Sequence, residues 1–142
     1  MIGTIDVRVR YSETDQMGRT HHRHYLVWCE LGRTTLMREH GVSYARLERD
    51  GLMLPVARAA VEYRGATLYD ELVRIETWVE RVRSRDIQFG YRIRRAKDDE
   101  VVATATTTLV SADADGRPVR LPPDVRAALE ALVVARNGAR AR

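Results

Sequence analysis

Between Tyr11 and Arg33 the chain reads YSETDQMGRTHHRHYLVWCELGR, and its potential catalytic groups are most concentrated there. Glu13 and Asp15 place carboxylates on either side of Thr14, and Gly18 follows. His21, His22 and His24 then lead into the apolar block Tyr25-Leu26-Val27-Trp28-Cys29. A carboxylate in such a stretch can activate water as a general base or attack a carbonyl carbon itself, and a histidine can orient either partner. A helix start adds unpaired backbone N–H groups and positive potential, which suit a developing oxyanion. On residue type alone Asp15 also fits a turn or helix cap, the commoner duty of aspartate in this setting.

Other chemistries are less well served. His21, His22 and His24, with Glu13 or Asp15, supply ligand types for zinc. Their spacing is not that of a helical His-x-x-x-His pair, and His40 lies a helix length away. No metal is therefore expected. Cys29 sits inside the apolar block with no base motif around it, so it reads as a small buried residue. Ser12 and Ser43 lie in no Gly-x-Ser-x-Gly elbow, and neither a Gly-x-Gly-x-x-Gly nor a phosphate loop occurs.

These residues must be held by the elements around them. Ile5, Val7, Val9 and Tyr11 alternate with Asp6, Arg8 and Arg10, the period of a strand with one buried face. The strand is expected to stop at Ser12-Glu13-Thr14-Asp15, and Gly18 permits a sharp change of direction. A helix is predicted from about His22 or His24 to about Glu39, closed by Gly41. Its first turns are apolar on every side, which predicts burial all round. Ser43 would cap a short helix reaching Asp50.

Strands are then predicted over Leu54–Tyr63, Val73–Val79, Ile87–Ile93 and Val101–Ser111. Arg64-Gly65-Ala66 reads as a break or bulge, and Arg83–Asp86 and Lys97–Glu100 as polar turns between antiparallel neighbours. Pro122-Pro123-Asp124 opens a C-terminal helix through about Ala135, before a frayed tail Asn137–Arg142. A helix apolar on all sides needs a sheet curved around it. The expected class is α+β, a hotdog fold with an antiparallel five-stranded sheet wrapped around a central helix. An edge strand and an open side of the helix would remain, which pairing of two copies would cover.

Length and composition fit one globular domain spanning 1–142: there are 142 residues, 44% hydrophobic and 31% charged. The N-terminus is charged by its sixth residue and lacks a signal core, and no apolar run approaches the span of a bilayer. With a single cysteine, a cytoplasmic setting is the simplest expectation. The net charge of +4 and pI of 9.6 do not come with interleaved basic and aromatic residues, so no nucleic-acid partner is expected.

Tyr11, Thr14, Asp15, Gly18, His22, Tyr25 and Arg33 stand at the spacing of a known signature. The segment Tyr63-Arg64-Gly65-Ala66-Thr67-Leu68-Tyr69-Asp70-Glu71 is similar to its companion Tyr-x-x-Pro-x-x-Tyr-Asp-Asp, with Ala66 in place of proline. On these residues the chain, from Val7 to about Val110, resembles the hotdog-fold acyl-CoA thioesterases of the 4-hydroxybenzoyl-CoA and Tol-Pal-associated type. It departs from them at Arg19-Thr20-His21-His22-Arg23-His24-Tyr25, where the family commonly has an aliphatic pair and then Tyr-His-x-Asn-Tyr.

The resemblance implies hydrolysis of an acyl-CoA thioester, without a cofactor, in a homodimer or homotetramer whose site lies at the subunit interface. It makes Asp15 the catalytic carboxylate, with His22 positioning the substrate or carboxylate. Backbone N–H groups around His24 and Tyr25 would polarise the carbonyl. Gly18 and His24 would line the substrate site, and Arg83, Arg85 and Arg64 would meet the CoA phosphates. A non-hydrolytic acyl-CoA or acyl-carrier-protein binding protein on the same scaffold is the alternative. A hydratase would want an Asp–His motif that is not found.

Overall fold

Val73, Ile75, Thr77 and Val79 are buried along one strand, while Arg74 and Glu80 between and beyond them are exposed. That alternation places the core on one face of a sheet. The computed structural model describes residues 1–134. Its elements are β1 (Gly3–Arg8), α1 (Arg23–Glu39), α2 (Tyr44–Arg49), β2 (Val56–Tyr63), β3 (Leu72–Val82), β4 (Asp86–Arg95), β5 (Glu100–Val110) and α3 (Pro123–Glu130). The strands form one antiparallel five-stranded sheet in the order β1-β3-β4-β5-β2, an α+β hotdog architecture.

α1 packs on one face of the sheet, against β1 and β3. Trp28, Cys29, Leu36 and Met37 enter a core shared with Ile75, Phe89, Ile93 and Leu109. Gly32 lets α1 approach closely: a Cβ there would overlap the Thr77 hydroxyl and lie 3.1 Å from Ile75 Cγ2. The helix ends where expected. Gly41, at φ +83°, donates to Arg38 O, and Val42 donates to Met37 O at 2.8 Å, the paired bonds of a Schellman stop.

The expectation of an α1 buried on every side is corrected. Leu26, Val27 and Leu31 are exposed at 37%, 43% and 46%. Five strands cover only one side of the helix, so these side chains face away from the sheet.

Other boundaries move for local reasons. β1 stops at Arg8 rather than continuing through Tyr11, because residues 11–13 close a single 3₁₀ turn. Ser43 stands at the N-cap of α2, yet its hydroxyl makes no capping bond. β2 begins at Val56 and pairs with β5, not with β3. The break at Arg64-Gly65-Ala66 is real: the Arg64 and Gly65 amides both donate to Val102 O, and the chain then crosses to β3. α3 ends at Glu130, short of Ala135, because the chain turns extended and Val133 bridges Val79. Ala135 itself and the tail Asn137–Arg142 lie outside the described residues.

The outward face of the sheet carries an ion-pair ladder. Arg74 meets Asp6 at 3.0 Å, and Glu76 receives Arg92 at 2.9 Å and Arg94 at 2.6 Å. Hydrogen bonds from Arg92, then from Arg94, outweigh burial and bring the Glu76 carboxyl down to about 2. Among the described residues, no helix is long and apolar enough to cross a membrane.

Candidate active site

The Asp15 turn is a miniature hairpin. Thr14 and Thr20 form an antiparallel bridge, and within it the Asp15 amide donates to Arg19 O at 2.7 Å. Gly18, at φ +76°, donates to Asp15 O at 3.0 Å. Asp15 Oδ1 accepts the Met17 amide at 2.9 Å and the Arg19 amide at 3.3 Å. Among the described residues Oδ2 receives no hydrogen bond. The capping and catalytic readings of Asp15 are therefore compatible: one oxygen holds the turn and the other is available for chemistry.

Glu13, two residues earlier, is buried at 2% exposure. Its carboxylate accepts the Arg10 amide at 2.8 Å and the Trp28 indole N–H at 3.3 Å, and its main-chain oxygen accepts the His21 amide at 2.8 Å. Burial works to raise its pKa, but the Arg10 amide and guanidinium and the Trp28 indole together hold it below the ordinary carboxylate value. Glu13 thus ties the turn carrying Asp15 to the first turns of α1.

The entry to α1 assigns its amides differently from expectation. The His24 and Tyr25 amides donate to His21 O at 3.0 Å and His22 O at 3.3 Å, so both are occupied. The Arg23 amide donates to His21 Nδ1 at 3.2 Å. The His22 amide makes no hydrogen bond among the described residues, and it is the donor left open at the positive end of the helix. The shift of two residues follows from the tight turn that precedes the first α-helical bond.

Below this entry lies a buried chain of hydroxyls. Tyr25 Oη meets Thr67 Oγ1 at 3.1 Å, Thr67 Oγ1 donates to Thr20 Oγ1 at 2.7 Å, and Thr20 Oγ1 donates to Thr67 O at 3.1 Å. The Tyr25 phenol is therefore a tie between α1 and the β2–β3 connection rather than a group open to solvent. Burial, first of several influences, raises its pKa. From the other side, Tyr63 on β2 donates to His22 O at 3.0 Å, with its ring edge-on to Tyr25 and His22. His22 is exposed, and its imidazole stacks on His21 with centroids 4.2 Å apart. His24 is largely buried beside Glu13.

The remaining expected residues are scattered. Arg64 follows β2 and pairs with Glu62 at 3.3 Å, near Tyr63 and so at the Asp15 end of the sheet. Arg83 and Arg85 lie on the β3–β4 turn, at the opposite end of the same sheet, beside the start of β2. Arg85 lines a cleft of about 380 Å³ there with Met53, Pro55, Val110 and Ala112. One chain does not bring Arg83 or Arg85 to Asp15.

Arg33 is buried near Tyr91 and Tyr44. Burial opposes its charge, the tyrosines favour it, and its pKa is raised. The Cys29 thiol is pushed up to about 12 by burial, which removes it as a nucleophile. Among the described residues, no three or more His, Cys, Asp or Glu side chains are grouped to hold a metal ion.

Sequence reasoning missed the roles of Glu13, Thr20, Thr67 and Tyr63. On sequence Glu13 is a turn carboxylate and a possible metal ligand, because nothing in a polar run announces burial. Thr67 and Tyr63 belong to a segment whose path across the sheet end is set by tertiary structure.

Comparison with known proteins agrees with this architecture. A family model described as the thioesterase-like superfamily matches residues 9–129. The acyl-CoA thioesterase YbgC of Haemophilus influenzae is 32% identical over 128 residues, covering 89% of this chain and 93% of its own. Among solved structures, the DHNA-CoA thioesterase from Staphylococcus aureus superposes with a TM-score of 0.88 at 32% identity, over 92% of this chain and 89% of that one. A Thermus thermophilus protein, TT1821, gives the same TM-score at 31% identity, over 95% of this chain and all of its own.

Proposed function

Since the chain belongs to the thioesterase-like superfamily, we propose that it hydrolyses an acyl-CoA thioester to a carboxylic acid and free CoA, with Asp15 as the reacting carboxylate. The observation that carries the residue assignment is the free Oδ2 of an Asp15 whose other oxygen is already fixed by two amides. Oδ2 either draws a proton from water as it attacks the thioester carbon, or attacks that carbon itself to give an anhydride that water then opens. The carbonyl oxygen gains negative charge in both routes, and the open His22 amide is the donor offered to it. Collapse expels CoA as a thiolate, which takes up a proton to leave as the thiol. His22 and Gly18 border the reacting groups, and Tyr25 holds the helix entry in place.

The working unit is a homodimer, or a homotetramer built from it. Support comes from exposed Leu26, Val27 and Leu31 on α1 and from an exposed β2 whose outer edge has no strand partner among the described residues. Antiparallel pairing of two β2 edges sets the start of one β2 beside the end of the other. Arg83 and Arg85 of one copy then lie near the His22–Tyr63 region of its partner, where CoA phosphates need cations. The protein works in the cytoplasm on acyl-CoA, not on nucleic acid or at a membrane.

Thiol release from a panel of acyl-CoA esters, with wild type against Asp15→Asn, tests this reading. Wild type should release CoA, and Asp15→Asn should lower kcat by about 10²–10⁴ while keeping the fold, since Asn Oδ1 still accepts both turn amides. Binding of CoA esters without thiol release would instead make the protein a carrier or sensor. Full activity in Asp15→Asn would move the chemistry to another residue.

A further inference from the structure

Glu13 and His24 have no task in the reaction just described, yet they face each other beside it. His24 Nε2 accepts a hydrogen bond from Arg23 Nε at 3.3 Å. A guanidinium can only donate, so Nε2 carries no proton and the proton of the neutral ring sits on Nδ1. Nδ1 lies 3.8 Å from Glu13 Oε2, an electrostatic approach longer than a hydrogen bond. The same carboxylate holds Trp28, one turn further along α1, and Arg10 on its own segment. Glu13 therefore grips two successive turns of α1, and it stands two residues before Asp15.

We propose that His24 is a positioning residue: as a neutral imidazole with its proton on Nδ1, it completes a clamp from Glu13 and Arg23 that holds the Asp15 turn against the start of α1. Protonation at Nε2 turns the Arg23 bond into a donor–donor contact. It also adds a cation beside Arg10, Arg23 and His21 at the positive end of a helix, with Glu13 the one carboxylate facing it among the described residues. Burial, ahead of the opposing Glu13 charge, sets the His24 pKa below its ordinary 6.5, so the ring is neutral under ordinary conditions. Asparagine does not titrate and keeps a donor toward Glu13, because its Nδ2 can stand where Nδ1 stands, while its oxygen is too short to replace Nε2. The role in catalysis rests on the thioesterase reading; the clamp itself does not.

Nitrogen-15 NMR of the imidazoles and pH–rate profiles test it together. The expected spectrum shows His24 as the Nδ1–H tautomer, titrating below 6.5 and moving to still lower pH in Glu13→Gln, because an attractive carboxylate has been removed. An Nε2–H tautomer, or a titration unmoved by Glu13→Gln, overturns the clamp whether or not the protein releases thiol. In the enzyme, His24→Leu should lower kcat by about tenfold at little cost in KM, and His24→Asn, which keeps the donor toward Glu13, should lower it less and lose one step from the acid limb. An acid limb in His24→Asn that superimposes on wild type overturns the link to catalysis. Absence of thiol release in wild type would count against the thioesterase reading alone.

Discussion

Tyr63 Oη donates to the His22 carbonyl at 3.0 Å, joining the exposed edge strand β2 to the turn that presents the open His22 amide. The residue whose amide faces the site is thus tied, through its carbonyl in the next peptide unit, to the edge where a second copy would dock. Tyr63→Phe removes one hydrogen bond at a partly exposed position and should cost about 0.5–1.5 kcal/mol. If the bond serves to aim the amide, kcat should fall by up to about tenfold with KM nearly unchanged, since about 1.4 kcal/mol corresponds to one decade of rate. Thermal unfolding and steady-state rates on the same preparation separate the two effects.

Leu31→Glu places a charge on the exposed side of α1, where it costs the single chain little. It should convert a sedimenting dimer or tetramer to monomer while leaving the circular dichroism of the fold intact. An unchanged sedimentation coefficient would show that this face of α1 is not the contact between copies.

The Glu76 carboxyl, held at about 2 by Arg92 and Arg94, makes stability depend on pH in acid. A folded-state pKa below the ordinary 4.5 means that the unfolded chain binds the proton first. The contribution is complete above about 4.5 and is lost as pH falls from there toward 2. Urea midpoints of wild type and Glu76→Gln should therefore differ most above pH 4.5 and converge on acidification. A constant difference across that range would mean that the ladder contributes by packing, not by charge.

Gly32→Ala should destabilise by about 1–3 kcal/mol through overpacking, against a helix-propensity gain of at most about 1 kcal/mol. Thr77→Ala in the same chain should recover part of the loss, because it removes the hydroxyl that the new methyl would overlap. A double-mutant cycle on unfolding free energies measures the recovery.

Much of this arrangement was legible in the residues. Period-two alternation located β1, β3 and β4, and Gly41 marked the end of α1, because side-chain direction and left-handed backbone are local properties. The Asp15 turn announced itself through short polar side chains and Gly18. The partner of β2 could not be read that way: Arg64-Gly65-Ala66 says that a strand stops, not that the chain crosses past β5 and β4 to reach β3. Nor could the apolar run Tyr25–Cys29 distinguish burial by the chain's own sheet from burial by another molecule, since hydropathy has no knowledge of which surface arrives. Glu13 shows a similar limit. A carboxylate is buried when donors converge on it, and here they come from Arg10 and Trp28.

The close seat of α1 at Gly32 works as a fixed ruler. A helix resting on side chains can slide by small rotamer adjustments, whereas one seated so closely that a Cβ at Gly32 would overlap Thr77 and crowd Ile75 has its axial position set by the strand beneath. The His22 amide lies ten residues up that rigid rod. Its placement is therefore gauged from a point in the core, and substitutions at Gly32 should tune the rate without touching any group in the site.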